Sequence, residues 1–492
     1  MLKRRILFSM MFVLVFALIA ACGNGDDPAD DTAQATPTPT PAAQADPAAQ
    51  DDDPEPVEEL PAIDMEGRTI MFVASFAPHQ VRTDAPPPDP GVGARGFFYD
   101  NMMWEHLQFM RDRYNVSFDF MVRPWGEMLP MLTVEVLAGA PEGDFYFQEG
   151  AFTFAAINGD LIYPINDIAD PDADIFGPRL RVMPAAEFAN RIWTVHRREP
   201  NLGPQFIGVN LDIINAIGAP NPADLYERGE WTFDAFLEIA RLATRDTTGD
   251  GIIDQFGISG VPGEIVQHLV AANAGYMVVP TDFSFGFTHP NTLHALEFAQ
   301  TIFEEGLWQY LGEDAFWDWT SNFNAYVQGN AAMFPVATWS LYAQRDNIPF
   351  EYTAVPWPQG PNNPQGFSFL EAFMNGWAIP RGVEDPGMVY HMFELMNSWH
   401  GDDPEIADGQ PIEVVRGLFR TEEEVQRVIN FMTRRRPDLG MSVMAEDGWA
   451  LSWVFGSLAW SFHYGGDSIA TIIEEIRPLA EATIEDNFGR WR

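Results

Sequence analysis

Cysteine is almost absent: Cys22 is the single one in 492 residues. That excludes an intrachain disulfide, a zinc ribbon and a cysteine nucleophile deeper in the chain. A chain of this length buries enough surface to be stable without covalent staples, so an oxidising location stays open to it. Lysine is as scarce. Lys3 is the sole example, so nothing beyond it supplies a phosphate-loop lysine, a Schiff base or a pyridoxal site. Positive charge is thin throughout, 28 Lys and Arg against 71 Asp and Glu, for a net charge of −43. Nucleic-acid binding needs clustered cations to neutralise phosphates and is not expected. The acidity instead favours solubility and repels anionic surfaces. Past the N-terminal leader no apolar run is long enough to span a bilayer, and no repeat of solenoid period is present. Catalytic signatures are missing too: no Gly-x-Ser-x-Gly, no His-Glu-x-x-His and no Gly-x-Gly-x-x-Gly. The nine histidines are scattered, and His289 with His294, or His391 with His400, do not share a helix face at ligand spacing.

What is present begins with a leader. Lys3, Arg4 and Arg5 form a basic start, residues 6–21 a mostly apolar run, and Ile19-Ala20-Ala21-Cys22 a small-residue exit. A run this short with these flanks reads as a secretory signal peptide, residues 1–21. Its end resembles a bacterial lipobox, which implies that Cys22 becomes the lipid-modified first residue and anchors the protein outside the cell membrane. Residues 22–62 are rich in Asp, Ala, Pro and Thr, with Thr36-Pro37-Thr38-Pro39-Thr40-Pro41 at their heart. With so little to bury, the segment is expected to be a disordered, extended tether.

Folded character starts near the apolar run Arg68-Thr69-Ile70-Met71-Phe72-Val73. Strands are expected at 118–122 and 145–147, with a helix over 128–137 stopped by Ala138-Gly139-Ala140-Pro141. Thr232 is placed to cap a helix carrying Phe233, Phe236, Leu237 and Ala240, with Trp231 stapled onto Phe236. Leu293, Leu296, Ala299 and Phe303 form a further apolar face, ended by Gly306. Asp385-Pro386 opens a helix through Trp399, and Asp467 the last long one, with a kink expected at Pro478. Alternation of this kind argues an α/β architecture, and the length argues two lobes.

The run Gly229-Glu230-Trp231-Thr232-Phe233-Asp234-Ala235-Phe236-Leu237, followed by 244–257, resembles the family 1 extracellular solute-binding proteins of ABC importers. Gly329-Asn330-Ala331-Ala332-Met333-Phe334-Pro335, Val355-Pro356-Trp357-Pro358 and Trp377-Ala378-Ile379-Pro380-Arg381-Gly382 match in the family's order. The resemblance implies a two-lobed α/β fold of the periplasmic-binding-protein type II kind, with a hinge and an interlobe cleft. The expected lobes are 63–197 with 357–400, and 198–356 with 401–492. It also implies a carbohydrate or oligosaccharide as solute, ABC permease subunits as partners, a monomer, and no catalysis. By family position the ligand-binding candidates are Gln148, Trp339, Glu371 and Trp377, the rings stacking on a sugar while the polar groups bond its hydroxyls.

One acidic segment reads separately. Asp246, Thr248, Asp250, the carbonyl of Ile252 and Asp254 fall at positions one, three, five, seven and nine of a calcium loop, with Gly251 at six. Position three is a neutral Thr and position twelve is Gly257 instead of the bidentate Glu, so a structural calcium ion would need a remote carboxylate. The bland alternative is a Gly/Asp turn. No organic cofactor is expected. The competing function is a secreted carbohydrate-active hydrolase using paired carboxylates, although among 71 acidic residues such a pair arises by chance.

Overall fold

The computed structural model describes residues 63–78, 82–84, 100–197, 205–338, 340–341, 345–366, 369–371, 375–407, 415–432, 435–437, 439–443 and 450–492. The leader, Cys22, the tether and Trp339 lie outside the described residues. Residues 64–492 form one compact unit built on two main sheets.

The first sheet starts as a β-α-β unit. β1 (Arg68–Ala74), α1 (Asp100–Tyr114) and β2 (Val116–Val122) follow one another, and β1 pairs with β2 in parallel with Ile70 opposite Phe118. α2 (Met128–Leu137) leads to β3 (Phe145–Gln148), parallel to β1, and α3 (Gly150–Asn158) follows. Parallel strands need such crossovers, and burial on both faces explains why β3 reads as an unbroken apolar run. β4 (Val182–Phe188) and β5 (Arg191–Arg197) form a hairpin. Its turn residues Ala189 and Asn190 both take positive φ, 53° and 59°, the conformation that matches the twist of flanking strands.

The chain then builds the second sheet. It comprises β6 (Gln205–Asn210), α4 (Leu211–Ile217), α5 (Pro222–Glu227), α6 (Phe233–Ala243), β7 (Phe256–Ile258) and α7 (Pro262–Ala272). A small hairpin, β8 (Val278–Val279) with β9 (Ser284–Phe285), precedes α8 (Pro290–Glu304), α9 (Trp319–Val327), β10 (Ala331–Ala337) and β11 (Tyr352–Val355). The strand order is β11-β6-β10-β7, with β7 parallel to β10 and β6 antiparallel to both its neighbours.

Beyond it come β12 (Phe369–Glu371) and β13 (Gly376–Ala378). β13 returns to the first sheet and completes the order β2-β1-β3-β13-β5-β4. α10 (Pro386–Met396) lays Phe393 on Phe145 of that sheet, centroids 4.9 Å apart. α11 (Glu422–Met432) instead sets Phe431 on Phe206 of the second sheet at 5.4 Å. β14 (Arg435–Pro437) pairs with β12, and α12 (Trp453–Tyr464) and α13 (Ile469–Phe488) close the chain. The chain therefore changes sheet after Arg197, between Val355 and Gly376, and again beyond α10. No helix among the described residues is long and apolar enough to cross a membrane.

Local chemistry accounts for the helix limits. Thr232 caps α6 by accepting from the Ala235 amide, and Trp231 packs on Phe236 at 6.0 Å. Two expected boundaries move. α10 ends at Met396, where the Asn397 side chain donates to the Phe393 carbonyl, so Trp399 lies beyond it. α13 is capped by Ser468, which accepts from the Thr471 amide, not by Asp467, and it runs unbroken through Pro478. The end of α13 also departs from a simple division of the chain at 400. Phe488 packs on Phe154 at 4.6 Å and stacks on Phe283 at 4.8 Å, while Trp491 meets Phe188 at 5.2 Å. Arg490 donates to the carbonyls of Ile157 and Asn158 at the end of α3. The last helix thus touches the layers of both sheets.

Candidate functional site

In open α/β sheets ligands settle beyond the carboxyl ends of parallel strands, where helix N-termini and loop side chains converge. On the first sheet that edge is formed by the residues after β1 and β3. Gln148 ends β3, is 2% exposed, and its Oε1 has no hydrogen-bond partner. Next to it the Glu149 carboxylate accepts from Ser75 Oγ at 3.0 Å and from Trp125 Nε1 at 2.6 Å. Trp125 is 42% exposed and is backed by Phe152 at 4.6 Å. The Gly150 amide, at the start of α3, donates to Asn375 Oδ1 at 3.0 Å. An open ring, a carboxylate and two amides therefore share one edge.

The second sheet offers a matching edge. β7 is followed by Ser259, fully buried with an unpartnered Oγ. α7 opens with Pro262 and carries Glu264 in its first turn. Because β6 runs antiparallel to β10, its first residue, Gln205, lies opposite Ala337 at the end of β10. Gln205 donates to Glu264 at 3.0 Å, and its Oε1 lies 3.1 Å from His268 Nε2. The His268 ring stacks on Trp357 at 5.0 Å, and neither His268 Nδ1 nor Trp357 Nε1 has a partner. Burial pushes Glu264 up to about 7, opposed in part by the Gln205 amide, although the residue keeps some accessible surface. Burial also pushes His268 down to about 3, so the imidazole is neutral at physiological pH. α12 joins this edge: a Cβ on Gly263 would stand 3.1 Å from Gly456 Cα, and Trp453, one turn before Gly456, is 39% exposed.

The residues singled out from the sequence are distributed unevenly over this geometry. Gln148 stands at the first edge. Trp377 does not present an open face: it is 7% exposed on β13, edge-on to Phe72 at 4.9 Å and to Phe147 at 5.0 Å. Glu371 lies on β12, whose backbone runs against α7. Trp339 is outside the described residues, between the buried Thr338 and Ser340 just past β10. Sequence reasoning passed over Trp125, Glu149, Gln205, Ser259, Glu264 and Trp453. One signal was available for Glu264, a Pro at the first helical position directly after a strand, which marks a helix N-terminus at a strand's carboxyl end.

The acidic loop lies between α6 and β7. Asp246 accepts from the amides of Thr248, Gly249 and Gly251 at 3.0, 2.6 and 2.6 Å. Asp250 accepts from the Ile252 amide at 2.9 Å, and Asp254 from the Thr247 amide and hydroxyl, both at 2.7 Å. These hydrogen bonds, the Gly251 amide foremost, hold Asp246 below its usual carboxylate range. The carboxylates are engaged by the loop's own donors, and among the described residues no group of three or more acidic, His or Cys side chains is arranged to hold a metal.

Two α/β bodies with ligand-type edges define a two-lobed α/β fold, and comparison with solved structures agrees on that fold. The maltose/maltodextrin-binding domain MalE from Bdellovibrio bacteriovorus, bound to maltotriose, matches at TM-score 0.57 and 13% identity, over 85% of this chain and 100% of that one. UgpB from Mycobacterium tuberculosis, in complex with glycerophosphocholine, matches at 0.57 and 14%, over 85% and 98%. Lmo0181 from Listeria monocytogenes, in complex with cycloalternan, matches at 0.55 and 13%, over 86% and 99%. Comparison with curated proteins finds no match. The family model for bacterial extracellular solute-binding proteins matches residues 93–387. The chain belongs to that family, and it binds a solute outside the cytoplasm.

Proposed function

We propose that the protein captures a neutral carbohydrate or oligosaccharide between its two lobes and delivers it to the permease of an ABC importer without altering it. The observation that carries this reading is the like chemistry of the two sheet edges: Trp125 beside Glu149, which follows Gln148, on one, and Gln205 with Glu264 and His268 on the other, where Gly456 of α12 meets Gly263. Rings suit the C–H face of a sugar, and uncharged or hydrogen-bonded polar groups suit its hydroxyls. The maltotriose and cycloalternan held by fold relatives support the same chemical class. Residues 63–197 with 357–400, and 198–356 with 401–492, are the proposed lobes, apart from the end of α13. Solute favours the closed pair over the open one, and closure is the signal for docking. We place the chain on the outer face of the membrane as a monomer, tethered by lipid on Cys22 through residues 22–62; the lipobox-like end of the leader supports this.

The 246–254 loop is the proposed calcium site. Its support is ligand spacing and the left-handed Gly251 at the sixth position, φ 89°. Occupancy requires Asp250 and Asp254 to exchange amide partners for the ion.

A thermal-shift panel of mono- and oligosaccharides, run with calcium and with chelator, tests both readings. A dose-dependent rise in Tm with the sugar recovered intact is expected. Release of new reducing ends would favour the hydrolase, and a Tm indifferent to calcium would reduce the loop to a turn.

A further inference from the structure

Among the described residues, four of the seven exposed aromatic side chains belong to one part of the fold. Trp317, Tyr310, Leu311, Trp453 and Tyr464 are each 36–47% exposed, and all five sit on α12 or on the segment ahead of α9 that covers it. Along α12, Trp453, Gly456, Trp460 and Tyr464 follow one another at spacings of three and four, which places them on one helix face. Gly456 leaves a gap in that face, and the Trp317 ring fills it: a Cβ there would stand 1.9 Å from Trp317. Trp460 packs on Tyr464 at 4.4 Å and on Phe316 at 4.9 Å. The Tyr464 and Tyr310 hydroxyls share a hydrogen bond of 2.5 Å, and the Tyr310 ring lies on His463 at 4.4 Å. The row climbs about 16 Å along the helix. Gly456, in the first half of this row, is the residue of α12 that meets Gly263, next to Glu264.

The chemistry of the row narrows what can lie on it. Ring faces alternate with neutral polar edges, the phenol pair and the imidazole. Burial and the shared hydrogen bond hold the Tyr464 phenol above the usual tyrosine range, and burial holds His463 below the usual histidine range, so neither is charged at neutral pH. The Glu313 charge adds to the same upward shift of Tyr464. An anionic partner would meet a chain of net charge −43. A neutral chain of hydroxyl-bearing rings satisfies both the faces and the edges. We propose that this row is an outer subsite, continuous with the cleft, that holds the protruding end of a long oligosaccharide whose first rings sit between the lobes. The proposal rests on the carbohydrate reading above.

Calorimetric titration of the full-length secreted chain with the di- and hexasaccharides of the malto-, cello- and xylo-series reads it out. In whichever series binds, the hexasaccharide is expected to bind about tenfold more tightly than the disaccharide. Tyr310→Ala with Tyr464→Ala should abolish that gain and hold disaccharide affinity within about twofold. Equal affinity for both lengths in the unmodified protein, or a double variant that keeps the gain, overturns the outer subsite and leaves the cleft reading standing. Binding of no member of any series defeats the carbohydrate reading and the subsite with it. Sedimentation of the same samples adds a further check: a dimer that the double variant dissociates would show that a second copy covers the row, and would overturn the proposal.

Discussion

Gln148 illustrates the single-residue problem. Its amide is buried and its Oε1 has no partner, a state that costs free energy and that a hydroxyl of the proposed solute would relieve by donating to it. Gln148→Leu should therefore leave Tm unchanged or raised, while solute affinity falls about tenfold; calorimetry on the folded variant checks this, and unchanged affinity would place Gln148 in the structural interior. Glu264 and His268 make a second case, in pH. Glu264 lies near 7 in the folded chain against its ordinary 4.5, so the folded state holds the extra proton and stability falls as pH rises from 4.5 through 7. His268 lies near 3 against its ordinary 6.5, so stability falls as pH drops from 6.5 through 3. The two slopes oppose one another between 4.5 and 6.5. Glu264→Gln should raise Tm at pH about 8 and leave it unchanged near pH about 4. Melting curves offset equally at both pH values would show that Glu264 titrates as an ordinary carboxylate.

At the scale of elements, α7 approaches α12 closely because Gly263 carries no side chain, and the Trp317 ring seats on α12 because Gly456 carries none. Gly456→Ala drives a methyl into the Trp317 ring and is expected to cost about 1–3 kcal/mol, read by urea unfolding together with a change in tryptophan fluorescence. Local signals were sufficient for several elements. α2 spans 128–137 as expected, because its apolar run is stopped by Gly139 and Pro141. The Thr232 cap and the Trp231 staple form where the residue types place them. The misplacements are local competitions that spacing does not resolve. Ser468 out-competes Asp467 because its hydroxyl reaches the Thr471 amide, and Asn397 closes α10 through the Phe393 carbonyl before Trp399. Trp377 was legible as part of a family landmark, but its neighbours in the sheet, Phe72 and Phe147, come from distant segments and determine that its ring is interior.

For the whole molecule, the end of α13 ties the helix layer of the second sheet to α3 and the β4–β5 hairpin of the first. Phe488 is fully buried among Phe154, Phe188 and Phe283. Phe488→Ala should lower unfolding free energy by about 3–5 kcal/mol; two separate melting transitions would further indicate that the two bodies had lost their coupling, and an unchanged single transition would mean that the cluster contributes nothing.

The amino-acid sequence by itself carried the α/β class, the limits of α2 and the cap of α6, because these depend on composition, period and neighbours a few residues away. It also carried the family, since its landmarks are contiguous motifs. Tertiary structure alone decided which side chains share an edge. β13 enters between β3 and β5, and antiparallel β6 brings Gln205 to the end of β10 and to Glu264. Strand order and direction are collective outcomes of burying both sheet faces, so no local window of residues contains them.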